Sequence, residues 1–407
     1  MSVRRSSIVL AGVGIVLIVL GVLVRFVVVP VATKLPGSTN LGITYSGQAT
    51  LLNSSALQSG DTKNVIATNV PTTVDRRVKV TSIHGDTAIV SDDLTIHAGT
   101  QTLPSDHTYA LDRTTLEGVT PPSGIPAEPS VGALSSTFPI GPEANDSYRF
   151  YDSTTRGIVP ISYTGHATRD GRSVTVYRIA STGAVKDPGL LKLLPPSLPK
   201  RLIASLAPLL PTAVRAKITL ATLAALPSPV PLSYTGTTNI VAYVDSQTGV
   251  PIDETVSEQI IVNVAAGSQT VSLIPVFALG FHVTPASVTY LADKAKTAGE
   301  LLTLMKVIVP LALVVMGVVL LVIAILRRHK PAAVPAAAHA AHGDAPQPQG
   351  SGLDASPPHL RSAEWPHLMN GHGTCRAVIG LAYHPRERGE SPHGVTRDTI
   401  IAIRFSA

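Results

Sequence analysis

The chain has 407 residues, a formal net charge of +6 and a hydrophobic content of 44%, which is high for a soluble protein. The excess charge lies at the two ends, because residues 34–306 contain twenty basic and twenty acidic side chains. Nucleic-acid binding needs a concentrated basic face, so we expect no nucleic-acid partner. The single cysteine, Cys375, lies near the C-terminus, so the central region must be stabilised by its core without disulfides.

The N-terminal segment is an apolar run that follows Arg4 and Arg5 and covers residues 8–32, interrupted only by Arg25. A cleaved signal peptide is one interpretation. The run is longer than the roughly 7–15 apolar residues of a signal peptide, and no small-residue cleavage site follows it. We therefore predict an uncleaved transmembrane helix over residues 8–32, preceded by a short cytoplasmic segment, residues 1–7.

A second apolar run, residues 307–326, ends in Arg327, Arg328 and Lys330, and it predicts a transmembrane helix over residues 306–326. Basic residues flank the cytoplasmic ends of membrane helices. We thus expect a two-pass protein of the cytoplasmic membrane with both termini in the cytoplasm and residues 33–305 outside. The Ala/Pro/His-rich tail, residues 327–407, is predicted to be cytoplasmic and disordered.

The outer domain shows β-branched stretches separated by turn residues, as in residues 78–90, and this alternation predicts hairpins of short strands. The fold class is therefore predicted to be α+β, mainly β. Asp followed by Thr and Gly recurs near residues 112, 152 and 245. Calcium binding by these side chains is conceivable, but Asp at the start of a turn bonds its own backbone, so we interpret them as turns.

Residues 188–230 form the most unusual stretch, because no acidic residue lies between Asp187 and Asp245. Its aliphatic segments are cut by prolines, which predicts a small insertion of short helices. Two interpretations stay open: a helical cap packed on the sheet, or a basic amphipathic surface that contacts lipid. The candidate lipid contacts are Leu191, Leu194, Lys200, Arg201, Leu202, Leu206, Leu209, Arg215 and Lys217.

Catalytic and cofactor motifs are missing from the sequence, which contains no G-x-S-x-G elbow, H-E-x-x-H, P-loop or cysteine pair. Asp92 and Asp93 are adjacent, but neighbours on a strand point to opposite faces and do not form a dyad. We therefore expect no enzymatic activity, no cofactor and no metal site.

Three phrases carry a resemblance to a known family: YSGQATLLN at residues 45–53, VDRRV at residues 74–78, and YVD with TGVP at residues 243–251. Together with the two-pass layout, they resemble an actinobacterial envelope family of unknown function labelled porin PorA-like. The resemblance covers residues 1–330 and carries no catalytic residues. It implies either pore formation or the maturation of lipomannan and lipoarabinomannan.

A transmembrane barrel needs aromatic girdles and long alternating strands, whereas aromatic residues make up only 4% of this chain. We therefore expect a membrane-anchored envelope protein whose outer domain binds or presents lipid or lipid-linked glycan in lipoglycan assembly. A porin-like pore is the alternative. The expected partners are membrane lipid or lipoglycan and envelope biosynthesis proteins.

Overall fold

The computed structural model describes residues 5–328 apart from residues 54, 55, 57, 58, 60, 62, 218 and 268. Both apolar runs are helical, and each continues through one π-helical turn. The N-terminal helix comprises Arg5–Leu23, Val24–Val28 and Val29–Ala32. The C-terminal helix comprises Pro285–Thr303, Leu304–Ile308 and Val309–Arg328. Both are long and apolar enough to cross a membrane, whereas almost all of the predicted tail lies outside the described residues.

The two apolar helices pack directly against each other at glycines. A Cβ atom on Gly317 would lie 2.6 Å from the carbonyl oxygen of Gly14, and one on Gly21 would lie 3.0 Å from the carbonyl oxygen of Pro310. Small residues allow helix backbones to approach this closely in an apolar environment. The two helices therefore form a pair with little room for a larger side chain at these positions.

Between the helices lies one curled antiparallel sheet. Its strands are β1 (Asn40–Leu52), β2 (Ile66–His84), β3 (Thr87–Ala98), β4 (Gln101–Asp112), β5 (Arg149–Asp152), β6 (Gly157–Arg169), β7 (Arg172–Ala184), β8 (Ser197–Leu198), β9 (Val230–Asp245), β10 (Pro251–Ala266) and β11 (Gln269–Val283). The order is β4-β3-β2-β1-β11-β10-β9-β7-β6-β5, and β8 pairs with β9. The predicted fold class, mainly β with terminal apolar helices, is confirmed.

The expectation of short strands is wrong, because nine strands have 12 to 19 residues. In β2, Val74 and Val80 face the core while Asp75, Arg77 and Lys79 are exposed on the other face. The exposed face of a strand carries the same polar residue types that occur in turns. In the sequence these polar residues were therefore interpreted as breaks, and one long strand was predicted as several short ones.

The segment 118–134 closes the sheet by bridging its two edge strands. Gly118 pairs with Leu111 of β4 on one side and with Val131 on the other, and Leu134 pairs with Phe150 of β5. The amide of Tyr151 donates to the carbonyl oxygen of Leu134 at 2.8 Å. Closure satisfies backbone groups that would otherwise be exposed at sheet edges, and it encloses an interior.

The sheet has two ends of different character. At the helix-bearing end, β1 begins shortly after the N-terminal helix and β11 ends at Val283, just before the C-terminal helix. Tyr45 pairs with Val283 here. At the insertion end, β9 begins at Val230 directly after the helical insertion, beside the hairpin in which Ala266 pairs with Gln269. The insertion and the apolar helices therefore lie at opposite ends of the sheet.

The insertion consists of short helical segments: Pro188–Leu193, Lys200–Ser205, Ala207–Leu209, Thr212–Arg215 and Leu220–Ala225. Asp187 caps the first, since its Oδ1 accepts from the amide of Gly189 at 2.8 Å. Ile203, Leu206 and Leu210 are buried in the main apolar core with residues of the sheet interior. The insertion is thus a cap whose apolar side packs against the end of the closed sheet.

Two of the three predicted Asp turns have the expected geometry. Asp112 Oδ1 accepts from the amides of Thr114 and Thr115 at 2.8 Å, and Asp245 Oδ1 accepts from the amide of Thr248 at 2.8 Å. Asp152 differs, because its carboxylate points into the domain, where other side chains bind it.

Candidate functional site

A cavity of about 350 Å³ lies inside the closed sheet. Most of its wall is apolar and comes from inward-facing positions of the strands. This apolar wall includes Leu51, Val74, Leu94, Ile96, Leu103, Ile161, Ile179, Ile240, Val256, Ile260, Phe277, Leu279 and Phe281. The volume lies at the lower end of the range for small-molecule sites, about 300–1,000 Å³. The cavity is therefore large enough for part of an apolar ligand.

The helical insertion supplies the wall at the insertion end, where Leu190, Leu193, Leu194 and Pro195 line the cavity. Leu193 is 56% exposed, so this leucine contacts both solvent and the cavity. Leu190 and Leu193 belong to the short helix Pro188–Leu193. The segment after this helix is hydrogen-bonded to β9, because the carbonyl oxygen of Pro195 accepts from the Tyr234 hydroxyl and that of Pro196 accepts from the amide of Leu232. The wall at this end is therefore held on the sheet by hydrogen bonds as well as by apolar contacts.

A charged cluster interrupts the apolar wall. Arg76 forms two hydrogen bonds with Asp92, Nε to Oδ1 at 2.8 Å and Nη2 to Oδ2 at 2.7 Å. Ser136 donates to Asp92 Oδ2 at 2.7 Å. Glu254 Oε1 accepts from the Tyr45 hydroxyl at 2.6 Å and lies 3.5 Å from Arg76 Nη1. The Arg76 guanidinium therefore contacts two carboxylates inside the domain, those of Asp92 and Glu254.

Burial by itself would raise the pKa of Asp92, but the Arg76 guanidinium and the Ser136 hydroxyl outweigh this effect and hold the pKa below its usual value. Burial, reinforced by the neighbouring Glu254 carboxylate, raises the pKa of Tyr45 well above its usual value. At neutral pH the cluster thus contains charged Arg76 and Asp92 beside a neutral phenol that donates a hydrogen bond.

A second polar group lines the cavity around Glu258, which lies on the same strand, β10, as Glu254. Thr154 donates to Glu258 Oε1 at 2.6 Å, and Asp152 Oδ2 accepts from Thr155 at 2.6 Å and from Ser181 at 2.7 Å. Burial raises the pKa of Glu258 above its usual value, and the negative charges of nearby carboxylates act in the same direction. Glu258 therefore holds its proton at a higher pH than an exposed glutamate does.

The polar part of the cavity carries an excess of carboxyl groups. Five of them line it, against one guanidinium and one imidazole: Asp92, Asp152, Asp187, Glu254 and Glu258, with Arg76 and His107. An anionic group such as a phosphate would meet unfavourable charge here. Hydroxyl groups, which can donate to carboxylates, suit this wall better.

A further cluster ties β4 to the closing segment and to β5. His107 Nδ1 lies 3.4 Å from Glu128 Oε1, and Glu128 Oε2 accepts from Tyr151 at 2.6 Å and from Arg156 Nη2 at 2.7 Å. Ser105 Oγ lies 3.2 Å from His107 Nε2. Glu128 thus holds together three elements that are distant in sequence, and it stabilises the closed form of the sheet.

Comparison with known families identifies the chain. A family model described as porin PorA matches residues 6–326. The chain belongs to the porin PorA family. The match begins in the N-terminal apolar helix and ends in the C-terminal one, so it includes both helices and the whole sheet of this PorA-family protein. A search of curated proteins finds no match. Family and apolar helices together place the protein at a membrane.

The structure separates the nine predicted lipid contacts of this PorA-family protein into two groups. Leu194, Leu202 and Leu206 face the interior, and of the nine only Leu194 lines the cavity. The remaining six are exposed or half-buried on the outer side of the insertion: Leu191, Lys200, Arg201, Leu209, Arg215 and Lys217. Two cations in this group bind backbone carbonyl oxygens, Lys200 that of Ala224 at 2.7 Å and Arg215 that of Leu210 at 3.1 Å.

The charged cavity cluster was not predicted, although one signal for it existed. Arg76 occupies an inward position of β2, in phase with Thr72, Val74 and Val80, which are all buried. A charged residue in phase with the apolar face of a strand needs a partner inside the domain. This reasoning identifies Arg76 from the sequence as a charged residue inside the domain. It does not identify Asp92 and Glu254 as the partners of Arg76, because they lie on other strands.

Proposed function

We propose that this PorA-family protein is a non-enzymatic envelope protein that binds an amphiphile, a lipid or lipid-linked glycan, with part of its hydrocarbon chain in the cavity. The observation that carries the proposal is the apolar cavity of about 350 Å³ inside the closed sheet. Presentation of such an amphiphile would support the assembly of lipoglycans such as lipomannan and lipoarabinomannan.

The proposed location is the cytoplasmic membrane, crossed twice, with both termini in the cytoplasm and the sheet outside. In this arrangement the helix-bearing end faces the bilayer. β11 has 15 residues, so the insertion end lies up to about 50 Å away from that end. The insertion would then meet lipid that has left the anchoring bilayer, rather than the surface of that bilayer.

The polar wall suggests the kind of head group. Because five carboxyl groups line the cavity against one arginine and one histidine, the proposed ligand has uncharged, hydroxyl-bearing groups next to its apolar chain. The exposed cations Arg201, Arg215 and Lys217 lie on the outer surface of the insertion. We assign to them contact with an envelope biosynthesis protein or with an anionic lipid surface other than the anchoring bilayer.

Binding of a fluorescent monoacylglycerol, an uncharged amphiphile with free hydroxyl groups, to the full-length chain in phosphatidylcholine nanodiscs tests the proposal. Leu103 lines the cavity, whereas Leu232 is a half-buried leucine on another strand that does not line it. We expect Leu103→Trp to fill the cavity and weaken probe binding by about tenfold, or about 1.4 kcal/mol, while Leu232→Trp leaves it unchanged. Equal effects of the two substitutions, or no probe binding by the wild type, would contradict the proposal.

A porin-like pore is the second candidate, because the family is described as porin. The packing of the domain opposes it: apolar side chains fill much of the interior, and the outer face of β2 carries Asp75, Arg77 and Lys79. A membrane-spanning strand needs an apolar outer face. Conductance of the purified chain in planar bilayers, at levels above those of a variant lacking both apolar helices, would favour a pore.

A further inference from the structure

The outer face of the sheet carries a groove that is separate from the interior cavity. It also has a volume of about 350 Å³, and it lies across β1, β11, β10 and β9. Ala49, Glu258 and Leu279 belong to its wall, but Ala49 and Leu279 are buried inward-facing residues and the Glu258 carboxyl binds Thr154 inside. The side chains that face the groove are therefore those at the alternate, outward positions.

Two rows of residues cross these four strands in register. Each row contains one small residue on β11, flanked by uncharged polar residues on β1, β10 and β9. The first row is Gln48, Gly280, Ser257 and Asn239, and the second is Thr50, Ala278, Gln259 and Thr237. The small residues form a floor along β11, and the longer amide and hydroxyl side chains form the two sides.

The groove differs from the outer face of the neighbouring strand β2 in its lack of charged side chains. On the neighbouring strand β2, the outward residues Asp75, Arg77 and Lys79 are all charged. Asn69 of β2 extends the uncharged set beside the groove, at a position where the backbone has a φ of 56°. The two rows form an uncharged face of eight strand positions, six of them polar, and this face selects against ionic ligands.

The hydrogen-bonding groups of the groove are also available. Within the described part of the chain, the side chains of Gln48, Asn239, Ser257 and Gln259 make no hydrogen bond to another residue. An amide side chain offers two donors and one acceptor, and each sugar hydroxyl offers one donor and two acceptor positions. Rows of amides and hydroxyls therefore match a ligand that presents several hydroxyl groups along its length.

We propose that this groove binds an uncharged oligosaccharide, which lies along β11 and is hydrogen-bonded from both sides. The volume is at the lower end of the range for small-molecule sites, which fits a short oligosaccharide segment. The proposal does not depend on the cavity, because the groove and the cavity lie on opposite faces of the sheet.

Gly280 provides a direct test. A Cβ atom at Gly280 meets nothing within 4 Å, so a larger side chain there enters the groove without disturbing the sheet. Valine is favoured in strands, so Gly280→Val is expected to fold. Gly42→Val is the matched control, since Gly42 is an exposed glycine of β1 outside the groove that also has nothing within 4 Å of its Cβ position.

The experiment measures binding of maltotriose, cellotriose and α-mannotriose, with trigalacturonic acid as the anionic comparison, to the full-length chain in phosphatidylcholine nanodiscs. We expect at least one neutral trisaccharide to bind, Gly280→Val to weaken it about tenfold, or about 1.4 kcal/mol, and Gly42→Val to leave it unchanged. A second variant, Asn239→Ala with Gln259→Ala, removes groove amides and should weaken binding without lowering thermal stability.

The proposal is overturned if none of the three neutral trisaccharides binds, if only the anionic one binds, or if Gly280→Val and Gly42→Val have the same effect. Leu103→Trp, which fills the interior cavity, is expected to leave trisaccharide binding unchanged. Loss of monoacylglycerol binding and loss of trisaccharide binding are therefore separate results, and the failure of one does not imply the failure of the other.

Discussion

Replacing Arg76 by methionine is expected to cause a large loss of stability. The side chains of Arg76, Asp92 and Glu254 are only 14%, 5% and 13% exposed. Arg76→Met leaves two buried carboxylates without their cation, and breaking a buried ion pair in this way costs about 3–5 kcal/mol. For a domain of this size about 1 kcal/mol corresponds to about 2–4 °C, so the unfolding midpoint should fall by about 6–20 °C.

Arg77 offers a matched control, because it is the next residue of the same strand but faces solvent. Among the described residues, its side chain donates only to Asn40 Oδ1, at 3.0 Å. Arg77→Met should change the free energy of unfolding by less than about 0.5 kcal/mol. The double variant Arg76→Met, Asp92→Asn should recover part of the loss, since it removes one unpaired charge together with its cation.

The pH dependence of the stability loss in Arg76→Met gives an independent check on the role of the ion pair. The pKa of Asp92 is lowered in the folded state, so the stability it contributes is present above its unfolded-state pKa and is lost as the pH falls through the folded-state value. Without Arg76 that pKa rises, and protonation relieves the unpaired charge. The deficit of Arg76→Met should therefore be largest at neutral pH and shrink in acid.

Circular dichroism of the detergent-solubilised full-length chain measures these midpoints. Three results would refute the reasoning: similar losses for Arg76→Met and Arg77→Met, a deficit that grows in acid, or a double variant less stable than Arg76→Met.

The sequence was sufficient for the outline of the fold because the relevant signals are local. Twenty consecutive apolar residues predict a long helix wherever they occur, and both apolar runs are helical as expected. The turn at Asp245 is equally local, since its carboxylate binds amides two and three residues further on. The helical character of the proline-cut insertion followed from the same kind of short-range pattern.

The candidate site depends on contacts that no local pattern contains. Arg76 and Glu254 are 178 residues apart, and they meet only because β1 and β11 pair and bring β2 near β10. The closing cluster joins His107, Glu128 and Arg156 through a segment with little regular structure. The groove on the outer face also requires the register of four strands, which the alternation of one strand does not determine.

The placement of the insertion changes how its composition is understood. The sequence of residues 188–230 combines apolar and basic residues, which is the composition expected of a segment that binds a membrane surface. In the structure the two kinds of residue are separated: Ile203 and Leu206 close the sheet from inside, while Arg201 and Lys217 face solvent. One face thus belongs to the apolar core and the other to the outer surface, so mutations of the first should lower stability, whereas mutations of the second should leave it unchanged.

Two further substitutions test packing and protonation. Gly317→Val should lower the thermal stability of the detergent-solubilised chain, because its Cβ would lie 2.6 Å from the Gly14 carbonyl oxygen. Gly12→Val should leave the stability unchanged, since a Cβ at Gly12 has nothing within 4 Å. Equal unfolding midpoints for the two variants would contradict the helix pairing. Glu258→Gln should stabilise the protein at neutral pH. Because burial raises the pKa of Glu258, the folded state binds this proton more tightly than the unfolded chain does, so wild-type stability is greatest below the unfolded-state pKa and falls as the pH rises through the folded-state value. Glutamine cannot ionise, but its side-chain oxygen can still accept the hydrogen bond from Thr154. The variant should therefore lose this fall in midpoint, which begins near the unfolded-state pKa of about 4.3. An unchanged slope, or a variant less stable than wild type at pH 7, would show that Glu258 is ionised in the folded protein.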